Sequence, residues 1–207
     1  CMSALPPKKF DFINRAHQKV GASRSYFCIV LFGEDSSFPH GVKTANPLAL
    51  NDMVLIDTGC QLEGYNSDIT RSYVYGEASE YQRKMWAIEK EAQAQAFAKA
   101  QIGVPCGDVD TAARSYLAQQ GMGPDYQVPG LPHRTGHGIG LDIHEWPYLV
   151  KNDRTPLAAG MCFSNEPMLV LPGEFGIRLE DHFYMTEQGP KWFTEPSYAI
   201  DDPFGGS

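Results

Sequence analysis

The chain of 207 residues lacks several features that would direct it to particular classes of protein. It contains no apolar run long enough to span a bilayer and no recognisable signal peptide, so we expect no membrane association. It has no excess of positive charge, and its formal net charge of -8 disfavours nucleic acid and anionic membrane surfaces as partners. Its five cysteines are odd in number and show no CxxC spacing. That pattern disfavours a disulfide framework or a cysteine zinc site and favours reduced thiols in a cytoplasmic protein.

The remaining composition is that of an ordinary globular domain. Hydrophobic residues make up 43% of the chain and aromatic residues 12%, which argues against disorder. The length fits one domain with a substantial core. The opening segment CMSALPPKKF resembles neither a domain start nor a targeting segment, so we expect residues 1–207 to be the C-terminal part of a longer protein.

Hydrophobic periodicity predicts a mixed α/β domain in which two β-hairpins flank a pair of helices. Ser79 can cap the first of these helices, and Gly121 ends the second. A hairpin on each side of the helices indicates two similar α/β halves, although no literal repeat is visible. The predicted strands are residues 26–32, 53–58, 69–75, 161–171 and 175–185, and the predicted helices are residues 10–20, 80–101 and 108–120.

The most informative feature of the sequence is a set of four acidic residues and one histidine in apolar or glycine-rich segments. The first predicted hairpin carries Asp57 and Asp68 on its two arms, and the last two strands carry one glutamate each. Acidic side chains are rarely buried unless they are paired or bind a metal. The segments are VLIDTG for Asp57, YNSDITR for Asp68, HRTGHGIGLDIHE for His137, FSNEPMLVL for Glu166 and GIRLEDH for Glu180.

Convergence of the four carboxylates would require compensating positive charge, because like charges repel at short range. Too few lysines and arginines lie near these motifs to supply that charge, whereas a pair of divalent cations would. Oxygen ligands together with one imidazole suit Mn, Co, Fe or Zn. The pattern therefore predicts a two-metal hydrolase.

The order of these five residues resembles that of the pita-bread metallopeptidases, which comprise methionine aminopeptidases, aminopeptidase P and prolidases. Ten residues separate the two aspartates, HGIGL surrounds the histidine, and the resemblance extends from about Ser25 to Phe193. The segments LPHRTGHGIGLDIHE, SNEP and GIRLEDHFYMTEQGP are similar to those of bacterial Xaa-Pro dipeptidases and aminopeptidase P. Arg178, two residues before the last glutamate, and Arg71, directly after DIT, favour this proline-specific branch. The resemblance implies the pita-bread fold, with two pseudo-symmetric halves around a curved antiparallel sheet.

The resemblance also implies a role for each of the five residues. Asp57 would bind one metal ion and His137 the other. Asp68 and Glu180 would bridge the two ions. Glu166 would complete the site beside a bridging hydroxide, accept the proton of the water and pass it to the leaving prolyl nitrogen.

Further side chains receive catalytic or substrate-binding roles from the same resemblance. His144 would stabilise the tetrahedral oxyanion. His40 and His133 are similar to histidines that position substrate and shuttle protons. Arg178 would bind substrate or hold the metal carboxylates, and a buried salt bridge to an aspartate is an equally adequate role. Independently of the resemblance, Arg154 is a candidate for binding the free carboxylate that a dipeptidase must recognise, although a solvated loop charge is the favoured interpretation.

The resemblance implies hydrolysis of the Xaa-Pro bond, above all in dipeptides, by a single metallopeptidase catalytic domain over residues 1–207. It implies two divalent metal ions per subunit, with Mn preferred and Co, Zn or Fe possible. It also implies peptide partners with proline in second position and a homodimer of the full-length protein. One alternative is an Xaa-Pro aminopeptidase acting on longer peptides. Another is a non-catalytic pita-bread binding module, which should lack some of the five ligands, yet all five are present.

Overall fold

The computed structural model describes residues 7–23, 25 and 27–205, with side chains from residue 10 onward. None of the helices in these ranges is long and apolar enough to cross a membrane. The helices are α1 (Pro7–Lys19), α2 (Glu80–Lys99) and α3 (Cys106–Gln119), with a 3₁₀ helix over Gly33–Ser37. The strands are β1 (Phe27–Phe32), β2 (Met53–Gly59), β3 (Gln61–Leu62), β4 (Tyr65–Asn66), β5 (Ile69–Val74), β6 (Gly136–Gly138), β7 (Glu145–Leu149), β8 (Cys162–Asn165), β9 (Met168–Leu171), β10 (Phe175–Arg178), β11 (Asp181–Thr186) and β12 (Gly189–Trp192).

The first sheet contains three antiparallel strands in the order β1-β2-β5. All three strands were predicted from their apolar runs, and β2 is flanked on both sides, so its residues are almost fully buried. Asp57 in β2 lies opposite Ile29 in β1 and Thr70 in β5. The short β3–β4 ribbon fills the turn between β2 and β5. The first predicted hairpin is therefore confirmed, with Asp68 directly before β5.

The second sheet contains five antiparallel strands in the order β12-β11-β8-β6-β7, and β9 pairs separately with β10. The two long strands predicted over residues 161–171 and 175–185 are each broken in the middle. Pro167 lacks an N–H group for a ladder, and the N–H of Glu166 donates to the carbonyl of Thr135 at 2.8 Å. The N–H of Glu180 donates to the carbonyl of Thr70 at 3.1 Å. Each break thus turns a glutamate backbone away from its own hairpin toward another part of the fold.

The two longer helices lie against the sheets and enclose the main core. Ser79 forms a capping box with Gln82 at the start of α2, as the sequence predicts. The stripe Ala92, Ala96 and Ala100 is fully buried, and its small side chains allow α2 to approach its neighbours closely. The start of α3 lies at Cys106, two residues before the predicted position, because Pro105 occupies the N-cap.

An antiparallel bridge joins the two halves of the molecule where the acidic residues lie. Thr70 of the first sheet pairs with Glu180 between β10 and β11. The side chain of Ser72 also accepts from the N–H of Arg178 and donates to its carbonyl, at 3.0 and 2.9 Å. The two acid-bearing hairpins are therefore held edge to edge.

Candidate metal centre

The structure brings all five predicted ligand residues together. Asp57 comes from β2 and Asp68 from the approach to β5, while His137 lies in β6. Glu166 and Glu180 occupy the two strand breaks. The exposed fraction of these residues ranges from 1% to 9%. Solvent therefore provides little screening of their charges.

The ligand atoms of these residues form overlapping groups, each with all its atoms within 4.8 Å of one another. His137 Nε2 lies 3.3 Å from Glu166 Oε1 and 3.9 Å from Asp68 Oδ2. Glu180 belongs to two groups, which share it as a common ligand. The groups are Asp57, Asp68 and Glu180; His137, Glu166 and Glu180; and Asp68, His137 and His144.

Unpartnered atoms test whether divalent ions fit this centre. Asp57 Oδ1, Asp68 Oδ1 and Glu180 Oε1 are buried and accept no hydrogen bond from any residue of the described ranges. Burying a charged oxygen without a partner is strongly unfavourable, so these atoms call for a cation. His137 Nδ1 lies 3.0 Å from the carbonyl of Gly138, which can only accept. The ring proton is therefore on Nδ1, and the Nε2 lone pair is free for a metal ion. The donor set fits divalent metals that accept oxygen and imidazole ligands.

Burial and mutual repulsion shift the proton affinities of the centre in the absence of metal. Burial, followed by the charges of Glu180 and Asp57, raises the pKa of Asp68 well above its usual value. Burial and the charge of Glu166 do the same to the pKa of Glu180. The pKa of Glu166 rises to about 7, chiefly through burial. Burial lowers the pKa of His137 to about 3, so this imidazole is neutral.

Arg178 supplies one positive charge to the acidic cluster. Its guanidinium forms a buried salt bridge with Asp57, and Nε donates to Thr70 Oγ1 at 3.1 Å. Burial opposes its charge, but the surrounding carboxylates, Asp57 first, raise the pKa of Arg178 above its usual value. One buried arginine does not balance four carboxylates, so the expectation of too few cations near the motifs is not contradicted. The alternative role of Arg178, a salt bridge to an aspartate, is confirmed.

Thr70 and Arg71 hold the Glu180 segment in place. Thr70 Oγ1 donates to Glu180 Oε2 at 2.7 Å. Arg71 donates to the Glu180 carbonyl at 2.8 Å and forms a buried ion pair with Asp181 at 2.7 Å. These contacts give Arg71 a structural role, since they hold the segment that carries Glu180.

A cavity of about 500 Å³ opens onto the acidic cluster. Polar and apolar residues line it together, as in small-molecule binding sites. All three predicted histidines lie on it. Its lining consists of Phe27, Ile29, Pro39, His40, Asp57, Asp68, His133, Arg134, Ile143, His144, Val150, Glu166 and Arg178.

The three histidines differ in their surroundings. His40 and His144 are exposed, and the ring of His144 meets the ring of His137 edge-on with centroids 4.4 Å apart. His133 Nδ1 lies 2.6 Å from the carbonyl of Arg134, so Nδ1 carries the ring proton. Burial lowers the pKa of His133 to about 3, and its Nε2 is buried without a partner among the described residues. His133 is therefore a neutral ring with an unused acceptor atom.

Two arginines differ from the sequence-based expectation. Arg154 is exposed and does not line the cavity; its neighbours Asp153 and Thr155 accept from the N–H groups at the start of α3. Arg134 lines the cavity, with Nε 4.0 Å from Glu166 Oε1, although no role was predicted for it from the sequence. Its guanidinium also lies 5.2 Å from the centre of the Tyr148 ring. The only feature of the sequence that could have indicated a role for Arg134 is its position three residues before His137.

We expect metal binding to strengthen as pH rises, because the carboxylate ligands must lose protons that the metal-free centre retains. With a pKa of about 7, Glu166 alone should weaken binding roughly 25-fold between about pH 7.5 and pH 5.5. His137 adds nothing to this dependence, since it is neutral throughout. Isothermal titration of the chelated protein with Mn²⁺ at the two pH values measures the effect. Equal affinities at both would contradict the raised carboxylate pKa values.

Comparison with known proteins gives consistent results. The model of metallopeptidase family M24 matches residues 9–187. The Xaa-Pro dipeptidase of Pyrococcus furiosus is 39% identical over 176 residues, which are 84% of this chain and 49% of that protein. The chain thus spans about half the length of the curated relatives it matches.

Solved structures show the same fold. Dipeptidase PepE from Mycobacterium ulcerans superposes with a TM-score of 0.84 at 37% identity, covering 94% of this chain and 52% of that one. The X-Pro aminopeptidase from Thermotoga maritima superposes with a TM-score of 0.85 at 32% identity, covering 94% and 55%. The pita-bread fold predicted from the sequence is therefore confirmed.

Proposed function

The chain belongs to metallopeptidase family M24, and from this premise we propose that residues 1–207 are a catalytic domain that hydrolyses the Xaa-Pro bond of dipeptides. The observation that carries the proposal is the set of five buried ligand residues, three of which line a cavity that His40, His133 and His144 also line. The names of the relatives, which include Xaa-Pro dipeptidases, support the substrate class.

Asp57, Asp68 and Glu180 would hold one divalent ion, and His137, Glu166 and Glu180 the other. Such a pair supplies polarisation of the peptide carbonyl and a water of lowered pKa. Mn²⁺ is our preferred metal from the family resemblance alone, since the same carboxylate and imidazole ligands also suit Co, Fe or Zn.

Glu166 is suited to move the proton of this reaction. Because Glu166 lines the cavity, its carboxylate can receive the proton of the attacking water and deliver it to the prolyl nitrogen as the bond breaks.

The cavity histidines would bind the carbonyl oxygen and the terminal ammonium group of the substrate. His144 is exposed beside His137 and can donate to the oxyanion that forms on the carbonyl oxygen. His133 offers only its Nε2 acceptor, which suits an N–H group of the substrate. His40 lies on the same wall and is our candidate for orienting the peptide.

A dipeptidase must also recognise the free carboxylate of its substrate. Arg134 is our candidate, because its side chain lines the cavity and is 34% exposed, whereas Arg178 is already paired with Asp57. Arg154 was the candidate for this role from the sequence, and its position outside the cavity gives that assignment no support.

The test compares hydrolysis of Leu-Pro and Leu-Pro-Gly by the chelated chain, before and after addition of Mn²⁺. We expect Mn²⁺ to restore cleavage of Leu-Pro, slower cleavage of Leu-Pro-Gly and of Leu-Pro amide, and none of Leu-Ala. Preference for the tripeptide would move the assignment to an Xaa-Pro aminopeptidase, which the likeness to the Thermotoga maritima enzyme favours. A folded chain that binds Mn²⁺ but cleaves none of the peptides would refute the proposal.

A further inference from the structure

We propose that Asp110 and Arg114, an ion pair on α3 outside the cavity, are positioning residues for the cavity wall at His133–Thr135 and thereby determine substrate affinity. The inference rests on the function proposed above only in its kinetic part. Neither residue lines the cavity, and neither belongs to the metal centre. Both are nevertheless buried, with exposed fractions of 0% and 8%.

Arg114 binds the chain on its way to the cavity at three points. Its Nε donates to Asp110 Oδ2 at 2.7 Å. Its two terminal nitrogens donate to the carbonyls of Asp125 at 2.6 Å, Leu131 at 2.8 Å and His133 at 2.5 Å. One planar guanidinium therefore connects helix α3 to three successive parts of a loop. Arginine is suited to this because its donors have a fixed geometry.

Asp110 binds the same wall two residues further on. Its Oδ1 accepts from the N–H of Thr135 at 3.1 Å and from the hydroxyl of Thr135 at 2.8 Å. The carbonyl of Thr135 in turn accepts from the N–H of Glu166 at 2.8 Å. The ion pair thus binds the residues on both sides of Arg134. Through Thr135 it is also linked to the backbone N–H of Glu166, a residue of the metal centre.

His137 has a separate support, which determines what the ion pair controls. Its strand, β6, pairs with β7 and β8, so this ligand is held by backbone registry on two sides. The segment from His133 to Thr135 precedes the strand. Thr135 is bonded by backbone to Leu149 and Glu166, but the described side-chain contacts of the segment to the helix come from the ion pair. Loosening the pair should therefore disturb the substrate-facing wall much more than the metal ligands.

A buried ion pair adds little net stability relative to an apolar pair of the same volume. Its contribution here is to fix the position of the wall. One hydrogen bond joins the two side chains, and five more bind them to backbone and hydroxyl groups of the chain that leads to the cavity. An apolar pair would leave the carbonyls of Leu131 and His133 without these donors.

The test uses two variants that loosen the wall and one control. Arg114→Met removes the guanidinium, and Thr135→Val removes only the hydroxyl contact with Asp110, leaving the buried ion pair intact. The control is Arg83→Met. Arg83 lies on the surface of α2 and is likewise paired with an aspartate, Asp201.

The first readout is kinetic and uses the Mn²⁺-loaded chain. We expect KM for Leu-Pro to rise about tenfold or more in Arg114→Met and by less in Thr135→Val, with kcat and Mn²⁺ affinity within about threefold of the unsubstituted chain. Arg83→Met should leave all three unchanged.

The second readout needs no activity. Nuclear magnetic resonance of the metal-free chain follows the titration of the His133 ring, whose low pKa of about 3 arises chiefly from burial. A displaced wall exposes the ring, so its titration should move toward the ordinary histidine range in both variants. Folded variants that keep the original His133 titration would overturn the inference. If the unsubstituted chain cleaves no peptide, the proposed function fails while this readout still decides on the ion pair.

Discussion

Replacing Glu180 with glutamine should abolish metal-dependent hydrolysis while stabilising the metal-free chain near neutral pH. Glu180 is shared by two of the three ligand groups, so its loss weakens both prospective metal positions. We expect activity to fall by at least about a thousandfold, which corresponds to about 4 kcal/mol of transition-state stabilisation. Peptide hydrolysis with Mn²⁺ in excess measures this loss.

The gain in stability follows from the raised pKa of the Glu180 carboxyl, which burial and the charge of Glu166 produce. An acid whose pKa is higher in the folded state than in the unfolded state holds more protons when folded. The free energy of unfolding therefore falls as pH rises from the unfolded value of about 4.3 through the folded pKa. Glutamine removes this loss, so the variant should be more stable than the unsubstituted chain at about pH 8 and gain nothing at about pH 4.

Urea unfolding in the presence of a chelator, at both pH values, checks the stability part. Glu174→Gln is a matched control, because Glu174 lies exposed in the turn between β9 and β10 of the same hairpin. The control should change neither activity nor stability. A metal-free Glu180→Gln chain that is less stable at both pH values would show that the hydrogen bond from Thr70 outweighs charge repulsion.

Elements with strong local signals could be predicted from the sequence. The apolar runs fixed the positions of β1, β2 and β5, and the Ser79 capping box marked the start of α2. The five prospective ligands were found because each lies in an unusual local context and their order matches a known family. Their convergence is visible in the structure as buried, overlapping ligand groups.

Elements defined by distant partners could not be predicted. Strand β6 has three residues, two of them glycine, and forms only because it lies between β7 and β8. The break at Glu180 depends on a hydrogen bond to Thr70, which no local pattern reveals, whereas Pro167 is a local signal for the break at Glu166. Arg114 likewise binds the carbonyl of His133, which lies 19 positions further along the chain. In each case a long-range contact overrides the local hydrophobic pattern.

Replacing Arg178 with methionine should cause a large loss of stability. Arg178 is 4% exposed and is paired with Asp57, which is 7% exposed. Removing one partner of a buried ion pair costs about 3–5 kcal/mol, because the other charge remains buried and unpaired. For a domain of this size that loss lowers the melting temperature by roughly 10 °C. Thermal unfolding of the chelated chain measures it, with Arg83→Met as the exposed ion-pair control.

The dependence of this loss on metal and pH identifies its cause. If Arg178 acts as a counter-charge to the acidic cluster, then Mn²⁺ should recover part of the lost stability, since cations compensate the same carboxylates. Falling pH should also diminish the loss, because the pKa values of Asp68 and Glu180 are already raised and protonation removes the repulsion. A loss that is equal with and without Mn²⁺, and equal at every pH, would instead assign it to the missing contacts with Thr70 and Pro39. Arg178 would then stabilise the edge between the two sheets rather than the charge of the metal centre.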